Sequence, residues 1–369
     1  MDRSTQRIVI KLGTSTLTRG TEYLNRQHML ELVQQMAYLH QGGHEVILVS
    51  SGAQAAGREH LNFPDFGRSV PAKQMLSAVG QGRLMHIYSE FFDIFGIVVG
   101  QVLLTRDDLS DRTRYLNARD TLQTLLERRI IPIINENDTV ATNEIRVGDN
   151  DNLSAMVASI LEADLLILLT DQPGLFTSDP RRDTNAELIK QVDRIDSSTY
   201  ALAGGIGSKL GTGGMMTKIA AARTATRSGV TTIIASGSTP HVISRILNGD
   251  DLGTRFEASA SHLESRKRWL LTDRIQGSVR VDAGAVRVLV TGGASLLPVG
   301  IVEIQGKFER GSTIAVLDSE SQEIAHGLTN YSSVELIKLR GVKSSQITAI
   351  LGYSYGDHVI HRNNMVLVM

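Results

Sequence analysis

IVIKLGTS, residues Ile8 to Ser15, decides how the chain is read. Ile8, Val9 and Ile10 form an apolar run suited to a strand covered on both faces, yet Lys11 follows at once, and Gly13, Thr14 and Ser15 make a turn of small residues. A lysine on a buried strand is costly unless its charge finds a partner, and a turn without bulky side chains lets a phosphate lie close. Outward from this stretch, short apolar runs bounded by Gly, Asn or Asp recur as EVILVSSG (45–52), IVVGQVLLT (97–105), IIPIIN (130–135), LLILLTD (165–171) and TTIIAS (231–236). Amphipathic stretches of helical length separate them at 26–41, 72–92, 114–129, 152–163 and 215–228. This alternation predicts an α/β fold with a mainly parallel sheet, whose polar strand ends gather on one edge.

After residue 256 the pattern changes. A charged stretch at 263–274, containing SRKRW, leads into short alternating runs with Gly-containing turns: GSVRVD, AVRVLV, GIVEIQG, GSTIAVLD and EIAHGLTNY. These read as a small C-terminal β-rich domain, and the basic segment as a solvated linker helix. The expected division is a first domain over 1–257, a linker over 258–275, and a second domain with its C-terminal tail over 276–369. A length of 369 residues suits two domains at about 150 residues each.

Composition narrows the chemistry. Thirty-eight Lys and Arg nearly cancel 39 Asp and Glu, so no global field draws the chain to nucleic acid or anionic lipid. Cysteine is absent, which removes disulfides, thiolate zinc sites and cysteine nucleophiles and is compatible with a reducing compartment. The opening MDRSTQR runs directly into the apolar strand without the apolar core and cleavage site of a secretory signal, so a cytoplasmic location is expected. The most apolar long stretch, 91–105, is interrupted by Asp93 and Gln101 and reads as a helix end plus a strand, not as a membrane span. The ten histidines show no zinc-ligand spacing, most are expected on exposed positions, and no protein-built metal site is expected.

Three groups of residues can carry chemistry. LGTGGMMTK (Leu210 to Lys218) opens a helix, where glycines let backbone N–H groups approach an anion and the helix N-terminus favours negative charge; it has neither Walker A nor GxGxxG spacing. Lys11 and Lys218, each beside a Gly-rich turn, suit a transferring phosphoryl group whose charge needs neutralising. Asn135, Asn137 and Asp138 in INEND follow one strand, and Asp149, Asn150, Asp151 and Asn152 in VGDNDN precede a helix. Such groups can bind a substrate ammonium, orient lysines or hold hydrated magnesium, although Asn and Asp also serve ordinary turns and caps. Ser50, Ser51, Gly52 and Ala53 add a further small-residue turn, and Thr170 and Asp171 close the LLILLTD run.

Taken in order, IVIKLGTS, LVSSGA with AAGR, GQVLLT, YLNARDT, INEND, VGDNDNLSA, LLTD with GLFTSDP, and GTGGMMTK resemble the amino acid kinase family. VDAGA, GASLLP, GIVEIQGKFERG and IAHGL look like a PUA domain. The resemblance implies an amino acid kinase-like three-layer sandwich with a mainly parallel sheet, followed by a small β-rich PUA-like domain. The activity it implies is ATP-dependent phosphorylation of the γ-carboxylate of L-glutamate, the opening step of proline synthesis, with magnesium and with proline as feedback inhibitor. By the same resemblance, Lys11 and Lys218 are the phosphate-binding and transition-state lysines, and Asp151 organises them. Ser51, Asn135, Asp138 and Asn150 match glutamate-binding positions. Lys11, Thr170, Asp171, Thr212, Gly213, Gly214, Met215, Met216, Thr217 and Lys218 match the ATP site, with a mobile loop at 201–208 near it. A homo-oligomer, dimer or tetramer, and a γ-glutamyl phosphate reductase are the implied partners.

Two other readings compete. Another carboxylate kinase of the family, such as acetylglutamate kinase or aspartokinase, would share the phosphate site; aspartokinase would carry an ACT-type tail, which this tail does not resemble. An RNA-binding protein would act through the PUA-like domain, but residues 276–369 carry eight Lys and Arg against eight Asp and Glu, so RNA binding there is not expected.

Overall fold

The computed structural model describes residues 5–63, 67, 69–141, 150–203, 214–259, 261–262, 264, 270–271 and 273–368. The chain forms two compact units, one of Met1–Ser110 with Asn117–Ala260, the other of Asp111–Leu116 with Ser261–Met369.

In the first unit the strands are β1 (Arg7–Leu12), β2 (Glu45–Ser50), β3 (Val99–Leu104), β4 (Ile131–Glu136), β5 (Leu165–Thr170), β6 (Gln191–Val192), β7 (Thr231–Ser236) and β8 (Thr254–Phe256). They form one sheet in the order β3-β4-β2-β1-β5-β7-β8-β6. All neighbours pair in parallel except β7 with β8. The helices are α1 (Thr14–Thr18), α2 (Arg26–Gln41), α3 (Ala53–His60), α4 (Val70–Asp93), α5 (Arg106–Ser110), α6 (Arg112–Glu127, whose start up to Leu116 belongs to the second unit), α7 (Asn150–Ile160), α8 (Ser197–Leu202), α9 (Met215–Arg227) and α10 (Val242–Leu247). The apolar runs behave as expected: every residue of β4 and β5 is buried, because helices cover both faces of a parallel sheet. β3, at the sheet edge, is only partly buried, which explains its interrupted sequence. None of the described helices is long and apolar enough to cross a membrane.

β1 lies between β2 and β5, so the chain leaves it in opposite directions along the sheet, and a crevice opens at its carboxyl end. In register, Leu12 stands opposite Ser50 and Leu169, Leu103 opposite Asn135, and Thr170 opposite Ser236. The polar strand ends therefore share one edge.

The second unit contains β9 (Gly277–Val281), β10 (Ile301–Gln305), β11 (Thr313–Leu317), β12 (Glu323–Leu328) and β13 (Met365–Leu367), in the order β10-β9-β11-β12-β13. Val279, Val281, Phe308, Ile314, Val316 and Tyr331 anchor its core. AVRVLV is a correction: it is no strand but lies in the helix Ala283–Gly292. Asp282 caps that helix by accepting from Ala285 N–H at 2.7 Å, and Gly293 ends it with a φ of 56°. The helical period turns Ala285, Val286 and Leu289 to the core and leaves Val288 outside, so the apparent alternation was one face of a helix. The inclusion of 111–116 in this unit follows no shift in composition; there Arg112 pairs with Asp273. SRKRW lies outside the described residues.

The histidine expectation is also corrected. Only His60, His86 and His241 of the ten are exposed. His28 sits on the inward face of α2 beside Met29 and Leu32, and His44 is held by Gln6 N–H donating to its Nδ1 at 3.2 Å.

Candidate active site

β1 ends by carrying Lys11 into the crevice, and α7 and α9 begin beside it. Asp151 lies in the first turn of α7, where the helix dipole favours a carboxylate. Lys218 lies in the first turns of α9, which starts from Gly214. Lys11 Nζ is 2.6 Å from one Asp151 oxygen, and Lys218 Nζ is 3.1 Å from the other. Thr217 Oγ1 donates to that second oxygen at 2.7 Å. The three charged residues are 5%, 1% and 7% exposed for Lys11, Asp151 and Lys218, so the charge of Lys11 is buried and has found its partner. Burial works to raise the Asp151 pKa, but the charges of Lys11 and Lys218, with hydrogen bonds from Lys11 and Thr217, outweigh it and hold the carboxyl at about 2. The cluster carries two positive charges around one negative charge and is poised for an anion. Gly13 leaves room beside the Lys11 ammonium, since a Cβ there would come within 3.3 Å of Lys11 Nζ.

A second group is built from amides. Glu136 N–H donates to Asn135 Oδ1 at 2.9 Å, and Asn150 Nδ2 donates to the same oxygen at 2.8 Å. Asn150 Nδ2 also reaches Ser51 Oγ at 2.9 Å. Asn150 Oδ1 stays buried without a hydrogen-bond partner among the described residues. Ser51, Asn135, Asp138 and Asn150 line one cavity of about 470 Å³, with Thr14, Thr18 and Gly52. Burial pushes the Asp138 carboxyl above its ordinary value, and a 2.6 Å hydrogen bond from Ser77 Oγ pulls it partly back.

The remaining sequence candidates divide. Thr170 Oγ1 donates to Asp171 Oδ1 at 2.9 Å at the end of β5, next to Gly237, whose N–H donates to Thr170 O. Gly214, Met215 and Met216 open α9, but Met216 faces a different cavity of about 780 Å³, shared with Tyr200 and Arg223. Asn137 serves a turn, accepting from Thr139 Oγ1 at 2.6 Å. Asp149, Thr212 and Gly213 lie outside the described residues, as does most of the segment 201–208.

Residues 6–236 match the model of the amino acid kinase family. The chain belongs to the amino acid kinase family. Residues 277–351 match the PUA domain, so this amino acid kinase carries a PUA domain behind its kinase unit. The glutamate 5-kinase of Herpetosiphon aurantiacus is 54% identical over 368 residues, 99% of this chain and all of that protein. The glutamate 5-kinase of Citrobacter koseri is 53% identical over 361 residues, 98% of each chain. Among solved structures, the carbamate kinase of Giardia lamblia shares the fold, with a TM-score of 0.51 and 19% identity over 69% of this chain and 99% of that one.

The kinase fold also enlists residues that sequence reading passed over. Tyr88 is fully buried on α4, and its hydroxyl meets Ser50 Oγ at 2.7 Å, while Ser50 donates to Ser51 O at 2.9 Å. Burial drives the Tyr88 phenol pKa upward, so it stays neutral and fixes the turn by hydrogen bonding alone. Ser77 and Gln81 of the same helix likewise touch Asp138 and Asn135. No local motif marks them, because each sits on a helix 38 to 61 residues from its partner. Only a polar residue on an inward stripe of α4 would have been a signal.

Proposed function

We propose that this amino acid kinase transfers the γ-phosphoryl group of ATP to the γ-carboxylate of L-glutamate, forming L-glutamyl 5-phosphate and ADP. The supporting observation is the buried Lys11–Asp151–Lys218 cluster, which shares its edge of the sheet with the cavity of Ser51, Asn135, Asp138 and Asn150. In the step, a carboxylate oxygen bonds to the γ-phosphorus while the bond to the bridging oxygen of ADP breaks. A carboxylate with an ordinary pKa near ~4.3 is already ionised at neutral pH, so no general base is needed. The obstacle is the approach of two anions. Lys11 and Lys218 neutralise the transferring group, Asp151 holds their ammonium groups in place, and the α9 N-terminus adds partial positive charge. Thr170 and Asp171, with Gly214 to Lys218, belong to the nucleotide side; Thr212 and Gly213 complete that proposal.

Magnesium fits as a companion of the nucleotide. Both Asp151 oxygens are taken by Lys11, Lys218 and Thr217, and no three His, Asp or Glu side chains converge among the described residues. Bound to the phosphates, the ion would supply further charge neutralisation on their oxygens.

The α-ammonium of glutamate is assigned to Asp138 and to the open acceptor Asn150 Oδ1. Since burial raises the Asp138 pKa, acidification protonates it before an ordinary surface aspartate and removes the charge that pairs with the ammonium. The kcat/KM for glutamate is therefore expected to fall on the acid side earlier than the kcat/KM for ATP. Asp138→Asn should lower the first and flatten that limb. Initial rates against pH with each substrate varied in turn check this; parallel profiles for both substrates would remove Asp138 from the ammonium site.

Feedback inhibition by proline, a place at the head of proline synthesis, a homo-oligomer, hand-over of the labile acyl phosphate to a reductase and a cytoplasmic setting extend the same proposal. The division at 1–257, 258–275 and 276–369 belongs to it as well: the chemical groups all precede Ser236, so a chain ending near Glu257 should keep measurable turnover. A folded truncation with none would give the PUA domain a catalytic role. The deciding experiment is ADP release from Mg-ATP with L-glutamate, N-acetyl-L-glutamate and L-aspartate in turn, with hydroxylamine trapping an acyl phosphate. Glutamate-dependent hydroxamate, suppressed by proline, is expected. Turnover with another acid only would keep the phosphate site and reassign the pocket; no turnover at all would bring RNA binding forward.

A further inference from the structure

Helix α4 carries Ser77, Gln81, Leu84 and Tyr88 at spacings of four, three and four, which places them on one face. Every polar member of that stripe ends on the wall of the acceptor cavity. Ser77 donates to Asp138, Gln81 Oε1 accepts from Asn135 Nδ2 at 2.8 Å, and Tyr88 meets Ser50, which holds Ser51 O. The helix cannot shift along its neighbour. A Cβ on Gly80 would lie 1.8 Å from Ala53 O, and one on Gly57 would lie 2.0 Å from Leu76 O, so α3 and α4 touch backbone to backbone.

The amide orientations follow from one unambiguous donor. The backbone N–H of Glu136 can only donate, which fixes Asn135 Oδ1 toward it. Asn150 must then present its NH2 to that oxygen, leaving Asn150 Oδ1 open, and Asn135 must present its NH2 to Gln81. Gln81 supplies the acceptor for that NH2. Without it, the Asn135 NH2 would be buried with no partner, and the side chain would have only the Glu136 N–H to hold its oxygen beneath the Asn150 NH2.

We propose that Gln81 is a positioning residue of the acceptor site: by holding the Asn135 amide from its NH2 end it keeps the Asn150 NH2 anchored, and so keeps an oxygen rather than an NH2 open for the ammonium group of an amino acid substrate. This rests on the glutamate kinase reading. The full chain is assayed first as wild type with L-glutamate; absence of glutamate-dependent hydroxamate there defeats that reading, and the variants are then compared on whichever acid is turned over. Gln81→Leu should raise the KM for the acceptor roughly tenfold to a hundredfold, with the KM for ATP and kcat within about threefold. Gln81→Glu, which keeps an oxygen acceptor for Asn135, should recover most of the loss. Because Gln81 acts only through Asn135, adding Gln81→Leu to Asn135→Ala should change the acceptor KM by less than about twofold. Should Gln81→Leu fail to give a cooperative thermal melt, Gln81→Met carries the same comparison. Factors that multiply in the double variant, an equal rise in the KM for ATP, or no recovery with Gln81→Glu would overturn the proposal.

Discussion

Asp151→Asn is expected to lose turnover and stability together. The substitution keeps the shape of the side chain and removes the negative charge that lies between two buried ammonium groups, 2.6 Å and 3.1 Å away. Breaking a buried pair from one side costs about 3–5 kcal/mol, since the partner charges stay behind without compensation, and here two are left. Misplaced lysines also cannot neutralise a transferring phosphoryl group, so kcat should fall by roughly a hundredfold to a thousandfold. Urea denaturation and initial rates at pH 7 read the two effects separately. Acid gives a third signature. The carboxyl is held at about 2 against its ordinary 3.8, so the unfolded chain binds the extra proton first; the stabilisation is whole above about pH 4 and drains as pH falls toward 2. Wild type should lose roughly 2 kcal/mol across that window beyond whatever the Asn variant loses. An Asn variant with wild-type stability at pH 7 would show that the lysines are not held as a charged pair around Asp151.

Why the fold could be read at all comes down to period. β1, β2, β4, β5 and β7 are central parallel strands, and their sequences are unbroken apolar runs because both faces are covered. Lys11 stood out for the same reason, being a charge at the end of such a run, and its burial with Asp151 gives that exception a cause. Period also explains the failure at AVRVLV. Six residues are too few to separate a two-residue from a 3.6-residue repeat, and the deciding signals, Asp282 as cap and Gly293 as stop, lie outside the run.

The site was legible where chemistry sits at strand and helix ends and illegible where it comes from the middle of a helix. Asn135 and Asn150 come from two different clusters, INEND and VGDNDN, and meet because β4 ends where α7 begins. Ser77, Gln81 and Tyr88 are spread along a 24-residue helix whose polar and apolar residues show little segregation, so nothing local separates an inward glutamine from an exposed one. Their roles depend on register against β2 and β4, a property of packing. His28 and His44 mislead in the opposite way: histidine is often exposed, yet both fill inward positions.

Lys218→Ala and Lys11→Ala should each depress kcat by roughly a hundredfold or more, while leaving the KM for glutamate within about threefold. The argument is differential binding. A lysine that meets the phosphoryl group as its charge redistributes strengthens the transition state more than the ground state, whereas the amides and Asp138 hold glutamate in both. The two losses should not multiply. Both ammonium groups share Asp151, so removing either weakens the hold on one carboxylate oxygen and draws the remaining lysine toward it, and the double variant should fall short of the product of the singles. Arginine is not expected to rescue Lys11, because a planar, delocalised guanidinium does not reproduce the compact ammonium that Lys11 sets 2.6 Å from one Asp151 oxygen. Steady-state kinetics with each substrate varied at saturation of the other, on both singles and the double, test all of this. A lysine variant whose kcat holds while its glutamate KM climbs would belong to the acceptor pocket, and the assignment of the two halves of the crevice would then be reversed.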